Sequence, residues 1–578
     1  MKRAVVIAFT FLVTATPAAA AKAGQPVAEA GRETEYVVLY KEGVNAADAR
    51  GAVQAAGGRI LKENGTVGLA TVSTTDPGFT SLLRGSALIE GVARNRSVGG
   101  VPDNAPMSDG AVRKALGAEA FEEPGRGERG APSAARRRKP APQAEPLSEL
   151  QWDMKQIGAT VDGSYKYEQG DPEVLVAILD TGVDGSHPDI APNFNRELSR
   201  NFTVDIPVDA DGEEVDGPCE EEPDRSCEDP ADVDEDGHGT HVASALAAPI
   251  NGLGIAGVAP KVSIVNLRVG SDVGYFFLQP SVDALTYAAD IGVDVANMSF
   301  YTDPWLSNCT GNPSDSPEER LEQTTIRRAM QRALDYAHAR GVTLIAAIGN
   351  QAVDLTKDYV DRSSPNFVRV PGEKPHSRTI TPDCDIMPVE GNHVIRVSAT
   401  GVSERKSFGS NYGDGSTDLA APGGDTYDTP DNTRDTTRAT LAAYPKALAV
   451  ARGELNPDGT PNVARVVRDC DGAVCAYYQY DQGTSMASPR AAGVAALIVS
   501  EHGHQDRKHG GKTLNPDVVE AMLKTTATRK DCPTPAAYTY TRHLPNGTTV
   551  TDTHLCEGNR FRNGFYGYGI VNALRAVR

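Results

Sequence analysis

Four polar residues stand at the edges of apolar runs. Asp180 closes "VLVAILD", His238 opens "HGTHVASA", Asn350 closes "TLIAAIGN" and Ser485 begins "SMASPRAAGVAALIVS". An acid, an imidazole, an amide and a hydroxyl, each at the end of a predicted element, describe one kind of chemistry. A serine hydroxyl becomes a competent nucleophile when an adjacent base takes its proton, and a neutral histidine does so near neutral pH. A buried carboxylate fixes the tautomer of that histidine and stabilises the imidazolium. The oxyanion then formed needs preorganised donors, for which the Asn350 side chain and the Ser485 backbone N–H are candidates. Losing one such donor costs roughly 3–4 kcal/mol of transition-state stabilisation.

Each residue alone has a blander explanation. An Asp after a strand is often a turn residue, and Ser485 and Ser488 are good helix caps. His238 and His241, three apart at a helix start, suit metal binding or capping. The zinc-protease pattern needs a Glu after the first His, and Gly239 stands there. Jointly, the order Asp, His, Ser with an Asn between the last two is hard to ascribe to coincidence. Ala487 occupies the place where the nucleophile elbow of an ester hydrolase needs Gly, which counts against an esterase. A binding module without turnover and an esterase remain the rival readings.

The elements that must position these residues alternate. From Leu147 onward, continuous apolar strands such as "EVLVAILD", "VSIVNLRV" and "VTLIAAIGN" are interleaved with helical stretches such as "SVDALTYAADIG" and "IRRAMQRALDYAHARG". This pattern predicts an α/β fold with a mostly parallel central sheet, whose functional residues gather at the carboxyl ends of the strands. The run after Ser485 reads as a buried helix, and Pro489 predicts that it starts close to Ser485 or Ser488. Ahead of this unit, residues 35–101 read as a small βαββαβ, ferredoxin-like domain. Residues 102–146 are rich in Pro, Ala and charge, include the Arg136–Lys139 run, and read as a cleavable linker. Lys2 and Arg3, a short apolar run and "TATPAAAA" predict a signal peptide over 1–21. No later stretch reads as a membrane span. The expected product is a secreted, soluble, extracellular monomer.

The net charge is −20, and sixteen of the acidic residues fall between Asp205 and Asp236. A field of this sign argues against nucleic acid as a partner. The acidic stretch is expected to be a solvated surface insertion. Eight cysteines without a C-x-x-C pair argue against zinc and, in an exported chain, for disulfides. Eight cysteines allow about a hundred connectivities. Pairing of neighbours is expected, with Cys470–Cys475 and Cys219–Cys227 foremost.

The blocks "LDTGVDGSHPD", "DGHGTHVAS", "NMSF", "IAAIGN", "DLAAPGG", "GTSMASPRAAGVAAL" and "GYGIVNALRA" resemble, in order, those of the subtilisin-like serine peptidases. The resemblance spans Val174 to Ala573. It implies a secreted serine endopeptidase acting on protein or peptide substrates, with Asp180, His238 and Ser485 as the triad and Asn350 in the oxyanion hole. It makes Ser488 a structural neighbour. Met298, Ser299, Phe300, Ala347 and Gly349 are expected beside the substrate pocket. An extended substrate is expected to pair near Ser299 and along Ser271–Tyr275. The domain at 35–101 resembles the family's inhibitory propeptides. No cofactor is required for the chemistry. Family members often bind structural calcium, but no ligand set is matched here. The loops after Asp180, Phe300 and Asn350, and the Gly424–Tyr480 region, are longer than in compact members.

Overall fold

The computed structural model describes residues 33–95, 144–221 and 225–578. The expected signal peptide, the propeptide end at 96–101 and the Arg136–Lys139 run lie outside the described residues.

The first unit comprises β1 (Thr34–Tyr40), α1 (Ala46–Ala55), β2 (Arg59–Asn64), β3 (Leu69–Thr74), α2 (Phe79–Arg84) and β4 (Ile89–Arg94). Its antiparallel sheet has the order β2-β3-β1-β4. Successive side chains of a strand point to opposite faces, and β1 uses both. Tyr36, Val38 and Tyr40 pack with Val53 and Phe79 of the unit's own helices, whereas Val37 and Leu39 join the core of the second unit.

The second unit begins with α3 (Trp152–Ile157). It continues through β5 (Leu175–Asp180), β6 (Arg200–Asn201), α4 (His238–Ala247), β7 (Ser263–Arg268), α5 (Leu278–Ile291), β8 (Val295–Met298), α6 (Pro317–Ala339) and β9 (Thr343–Ala347). A short pair, β10 (Tyr359–Asp361) and β11 (Arg378–Ile380), precedes β12 (Val394–Thr400) and β13 (Leu419–Pro422). Next come β14 (Thr440–Ala443), α7 (Lys446–Ala451), β15 (Val466–Asp471), β16 (Val474–Asp481), α8 (Thr484–His502) and α9 (Pro516–Thr526). Seven strands form one sheet in the order β13-β12-β9-β8-β5-β7-β6, with every neighbour parallel. Alternation again divides the core: Val176 and Ile178 face α4 and α8, while Ala177 and Leu179 face α5 and α6. The chain runs from β5 to β7 on one side and later to β8 on the other, so β5 lies where the strand order reverses. Ligand crevices of open α/β sheets form at the carboxyl end of such a strand.

The first unit rests on α5 and α6 through contacts of opposite sign. Arg332 of α6 donates to the carbonyls of Tyr40 (2.7 Å) and Val67 (3.1 Å) and pairs with Glu90. Asn64 donates to Asp283 of α5 at 2.9 Å, and Lys62 pairs with the same carboxylate at 2.7 Å. Glu145 and Pro146, expected to end the linker, belong to the second unit. Glu145 is buried and accepts the Gly252 N–H at 2.9 Å, and the Leu147 N–H donates to Gly254 at 2.8 Å.

The acidic insertion departs from expectation. Asp205, Asp229 and Asp234 are buried. The reason is Arg268, which is fully buried at the end of β7 and draws in Asp205 (2.7 Å), Asp272 (2.8 Å) and Asp229. Burial and the Asp205 charge push the Asp272 carboxyl up, against the pull of Arg268. All four disulfides join neighbouring cysteines: Cys219–Cys227, Cys309–Cys384, Cys470–Cys475 and Cys532–Cys556.

Helix α8 is buried from Thr484 to Ser500, as its composition predicts. It starts at Thr484, next to Ser485 as expected, and Pro489 therefore lies beyond the first turn. Proline has no N–H for the carbonyl four residues back. That carbonyl, Ser485 O, accepts instead from the Ser299 hydroxyl at 3.0 Å. Ser299 therefore supplies the bond that the helix lacks. We expect Ser299→Ala to lower stability by about 1–3 kcal/mol, the cost of a buried polar group left unpaired. Adding Pro489→Ala, which restores a backbone N–H, should recover part of the loss. Equal denaturant midpoints for wild type and Ser299→Ala would contradict this account.

Candidate active site

Asp180 ends β5 and is wholly buried. Its Oδ1 accepts the Thr181 N–H at 2.8 Å and lies 2.7 Å from His238 Nδ1. A carboxylate oxygen accepts, so Nδ1 carries a proton, and in the neutral ring Nε2 keeps the lone pair. Helix α4 brings His238 to this spot by a close approach. A Cβ on Gly239 would lie 2.0 Å from the Gly182 carbonyl and 3.0 Å from Asp180 Cβ, so only glycine fits. The buried Asp234 carboxylate caps the helix, taking the N–H groups of Gly237 and Thr240 at 2.9 Å each. Burial, then the Asp236 charge, raise Asp234 to about 6.

Burial alone would pull the His238 imidazole down. The charge and hydrogen bond of Asp180, with Asp236 and Asp481, outweigh it and raise His238 to about 9. His241, one turn along, is lowered to about 3 by burial, Arg490 and His238. It stays neutral, with Nε2 3.3 Å from the Thr440 carbonyl. The two imidazoles thus serve different partners and do not form a metal-binding pair.

Asn350 lies three residues beyond β9. Its Oδ1 accepts from the Thr484 N–H (2.9 Å) and the Thr484 hydroxyl (3.1 Å), and that hydroxyl accepts from the Gly349 N–H at 3.1 Å. The amide is thereby oriented with its NH2 group as the remaining donor. Ser485 is the second residue of α8, where backbone N–H groups have no intrahelical partner. Its hydroxyl is 3.2 Å from the Ser299 carbonyl. Ser488 is buried and donates to Asn297 at 2.6 Å, a packing contact.

His238, Asn350 and Ser485 line one cleft of roughly 450 Å³. Of the residues expected beside a pocket, Ser299, Phe300, Ala347 and Gly349 line it. Met298 does not, being wholly buried in the core under α5 and α6. The Ser271–Tyr275 stretch is not an extended edge. Its Ser271 N–H donates to Tyr275 O at 3.0 Å and its Gly274 N–H to Ser271 O at 2.9 Å, closing a turn with Gly274 at φ +81°. The turn tip, Val273 and Gly274, reaches the cleft. Several lining residues carried no sequence signal. Phe276 stacks on Phe300 with centroids 4.5 Å apart, and Leu306 and Ile386 extend the apolar wall. Asp236, Arg452, Arg465 and Asp481 give the other end a mixed charge.

Two clusters among the described residues bring three ionisable groups close enough for a metal: Asp205 with Asp229 and Asp272, and Asp315 with Glu319 and His376. Arg268 already binds all three carboxylates of the first, and in the second Arg378 binds Asp315 at 2.8 Å. Neither offers the open oxygen shell that calcium takes.

Residues 171–569 match the family described as the subtilase family. Thermitase of Thermoactinomyces vulgaris is 29% identical over 327 residues, covering 56% of this chain and 75% of thermitase. The nisin leader peptide-processing serine protease NisP of Lactococcus lactis subsp. lactis is 27% identical over 363 residues, 61% of this chain. The matched part spans 44% of NisP and 55% of the thermophilic serine proteinase of Bacillus sp. (strain AK1), about half the length of these relatives. The crystal structure of the epidermin leader peptide processing serine protease (EpiP) from Staphylococcus aureus shares the fold, with a TM-score of 0.58 at 21% identity over 95% of this chain and 98% of that one. With its family blocks at the strand ends and helix starts around one cleft, the chain belongs to the subtilase family.

Proposed function

We propose that the chain is a secreted serine endopeptidase that hydrolyses extracellular proteins through Asp180, His238 and Ser485. The observation that carries this reading is the 2.7 Å Asp180–His238 bond beside the cleft that Ser485 also lines. In the reaction, Ser485 Oγ attacks the scissile carbonyl carbon while His238 Nε2 takes the hydroxyl proton. Asp180 holds the resulting imidazolium. The carbonyl oxygen, now negative, takes hydrogen bonds from Asn350 Nδ2 and the Ser485 N–H. Collapse of this intermediate breaks the C–N bond, and His238 gives its proton to the leaving amine. Water, deprotonated by His238, then releases the acyl group and restores Ser485. The apolar wall of Phe276, Phe300, Leu306 and Ile386 supports an apolar side chain on the substrate.

The unit at 33–95 is the propeptide in this reading, and the chain is exported as a monomeric zymogen. Its docking on α5 and α6 supports this, as does the position of its last described residues. Arg94 and Asn95 lie against Phe277, Leu278 and Asp303, and Asp303 in turn accepts the N–H of Phe276 in the cleft at 2.6 Å. The propeptide end near 97–101, outside the described residues, is the segment proposed as a tethered, product-like inhibitor, effective at modest intrinsic affinity. Trimming of the linker would stop before Glu145. N-terminal sequencing and sedimentation of secreted material test export, trimming and the monomer. A mature chain starting beyond Glu145 would contradict the boundary.

Ser485→Ala should abolish nearly all peptidase activity and labelling by a fluorophosphonate, and its precursor should persist uncut in a host lacking other secreted proteases. Ser488→Ala should be far milder. Activity of Ser485→Ala within about tenfold of wild type would overturn the nucleophile assignment, since removing a triad member costs far more. Maturation of Ser485→Ala to the normal N-terminus unaided would instead reject self-processing.

Asn350→Ala should lower kcat by roughly 10²–10³ with KM little changed, because its amide meets negative charge only in the transition state. A change confined to KM would mean that Asn350 holds substrate and does not serve the oxyanion.

A further inference from the structure

Two carboxylates unused by the mechanism above open onto the cleft beside His238. Asp236 lies two residues before it, and its Oδ1 accepts the His238 backbone N–H at 3.0 Å. Asp481 is the last residue of β16 and pairs in register with Thr440 of β14. The Thr440 carbonyl is the partner of His241, one turn beyond His238 on α4. The helix that carries the imidazole is therefore tied to the ladder that carries Asp481. With Asp180 at Nδ1, His238 thus has one carboxylate on its ring, a second on its backbone N–H, and a third, Asp481, lining the same cleft.

The cations nearby are committed elsewhere in part. Arg452, after α7, donates to the Asp236 carbonyl at 3.1 Å and to the Tyr444 hydroxyl at 3.2 Å. Arg465, before β15, pairs with Glu454, which also accepts from Tyr444 at 2.9 Å. Arg490 of α8 is spent on Asp153 at 2.7 Å, and His241 is neutral. The local balance favours a positive ring. The raised value of about 9 for His238 agrees, with Asp236 and Asp481 acting after Asp180 and against burial.

We propose that Asp236 and Asp481 are positioning residues of the reaction, which stabilise the His238 imidazolium and so set the chain to work on the alkaline side. The inference rests on the reading of His238 as the base. Its sign follows directly. Attack needs the neutral ring, and the two carboxylates favour the protonated one. The acid limb of kcat/KM therefore lies above the ordinary histidine value of about 6.5. The same charges stabilise the ring once it has taken the Ser485 proton, so they raise the plateau rate as well.

The test is the pH profile of kcat/KM for the mature enzyme on a peptide substrate, in wild type, Asp236→Asn, Asp481→Asn and the double variant. Asparagine keeps the shape and the acceptor oxygen while removing the charge. Each single variant should move the acid limb down by up to about one pH unit and lower the plateau several-fold; Asp481→Glu should restore the limb. Added salt should shift the wild-type limb down only slightly, and the double variant less still, because half-buried charges are screened less than exposed ones. A merely structural role would lower the plateau with the limb unmoved, and that result overturns the proposal. So does a wild-type limb at or below about 6.5. Failure of the underlying reading is separately visible: His238→Ala would then retain activity.

Discussion

A carboxylate held at the end of a buried parallel strand is the constraint on which the site depends. Burying a charge is costly unless it is paired and hydrogen-bonded. Asp180 meets that demand at Oδ1, with the Thr181 N–H and the His238 ring. The second bond obliges α4 to begin against the tip of β5, at a separation that leaves no room for a Cβ at residue 239. Asp234 then takes the helix N–H groups that this approach removes from water. On the other side, Asn350 grips Thr484 by backbone and side chain and so fixes the first turn of α8 against the loop after β9. Ser485 follows Thr484 directly. The candidate nucleophile is thus located by a neighbour's hydrogen bonds, and its own hydroxyl makes one long bond, to the Ser299 carbonyl at 3.2 Å.

The segments that enlarge the unit are organised differently. Each has its own small apolar cluster or buried guanidinium, and each carries at least one disulfide-bonded cysteine. Ile206 and Val215 of the acidic insertion pack with Tyr275, Phe277 and Phe367. Cys309 and Cys384 pack with Ile380. Such clusters are too small to repay the ordering of a long loop by burial alone. A cross-link removes part of that entropy from the unfolded chain, about 4–5 kcal/mol in the loop-closure account for the 75-residue separation of Cys309 and Cys384. The seven-stranded sheet itself contains no cysteine, since parallel strands covered on both faces already bury enough apolar surface.

These differences explain what the sequence could disclose. The parallel sheet was legible because "VLVAILD", "VSIVNLRV" and "TLIAAIGN" are continuous apolar runs, and Asp180, His238, Asn350 and Ser485 were legible because each interrupts or borders such a run. The antiparallel first unit was legible from its turn residues. The burial of the acidic insertion was hidden because composition reports charge and not partners: nothing adjacent in sequence ties Asp205 to Arg268. The turn at Ser271–Tyr275 was hidden because its closure depends on one glycine conformation and two backbone bonds. The start of α8 ahead of Pro489 ran against local propensity. It is permitted by Ser299, which lies 186 residues from Ser485 in the chain.

The cleft therefore joins two kinds of structure with different freedoms. Groups at β5, α4 and α8 are fixed by a shared core, and a small displacement of any of them breaks several buried hydrogen bonds together. The walls come from segments stapled to that core at a few points: Leu306 and Ile386 flank the Cys309–Cys384 link, and Arg452, Arg465 and Asp481 belong to the β14–β16 ladder and its connections. Changes in those segments alter the shape and charge that a substrate meets without moving Asp180 or Ser485. The ladder is an exception in one respect. Through Thr440 and His241 it is bonded to the same helix that carries His238, so in the proposed reaction a change of charge at its end would act on the His238 ring as well as on the substrate. Under the proposed mechanism, selectivity and proton affinity would for that reason be coupled through Asp481 and separable at the apolar wall.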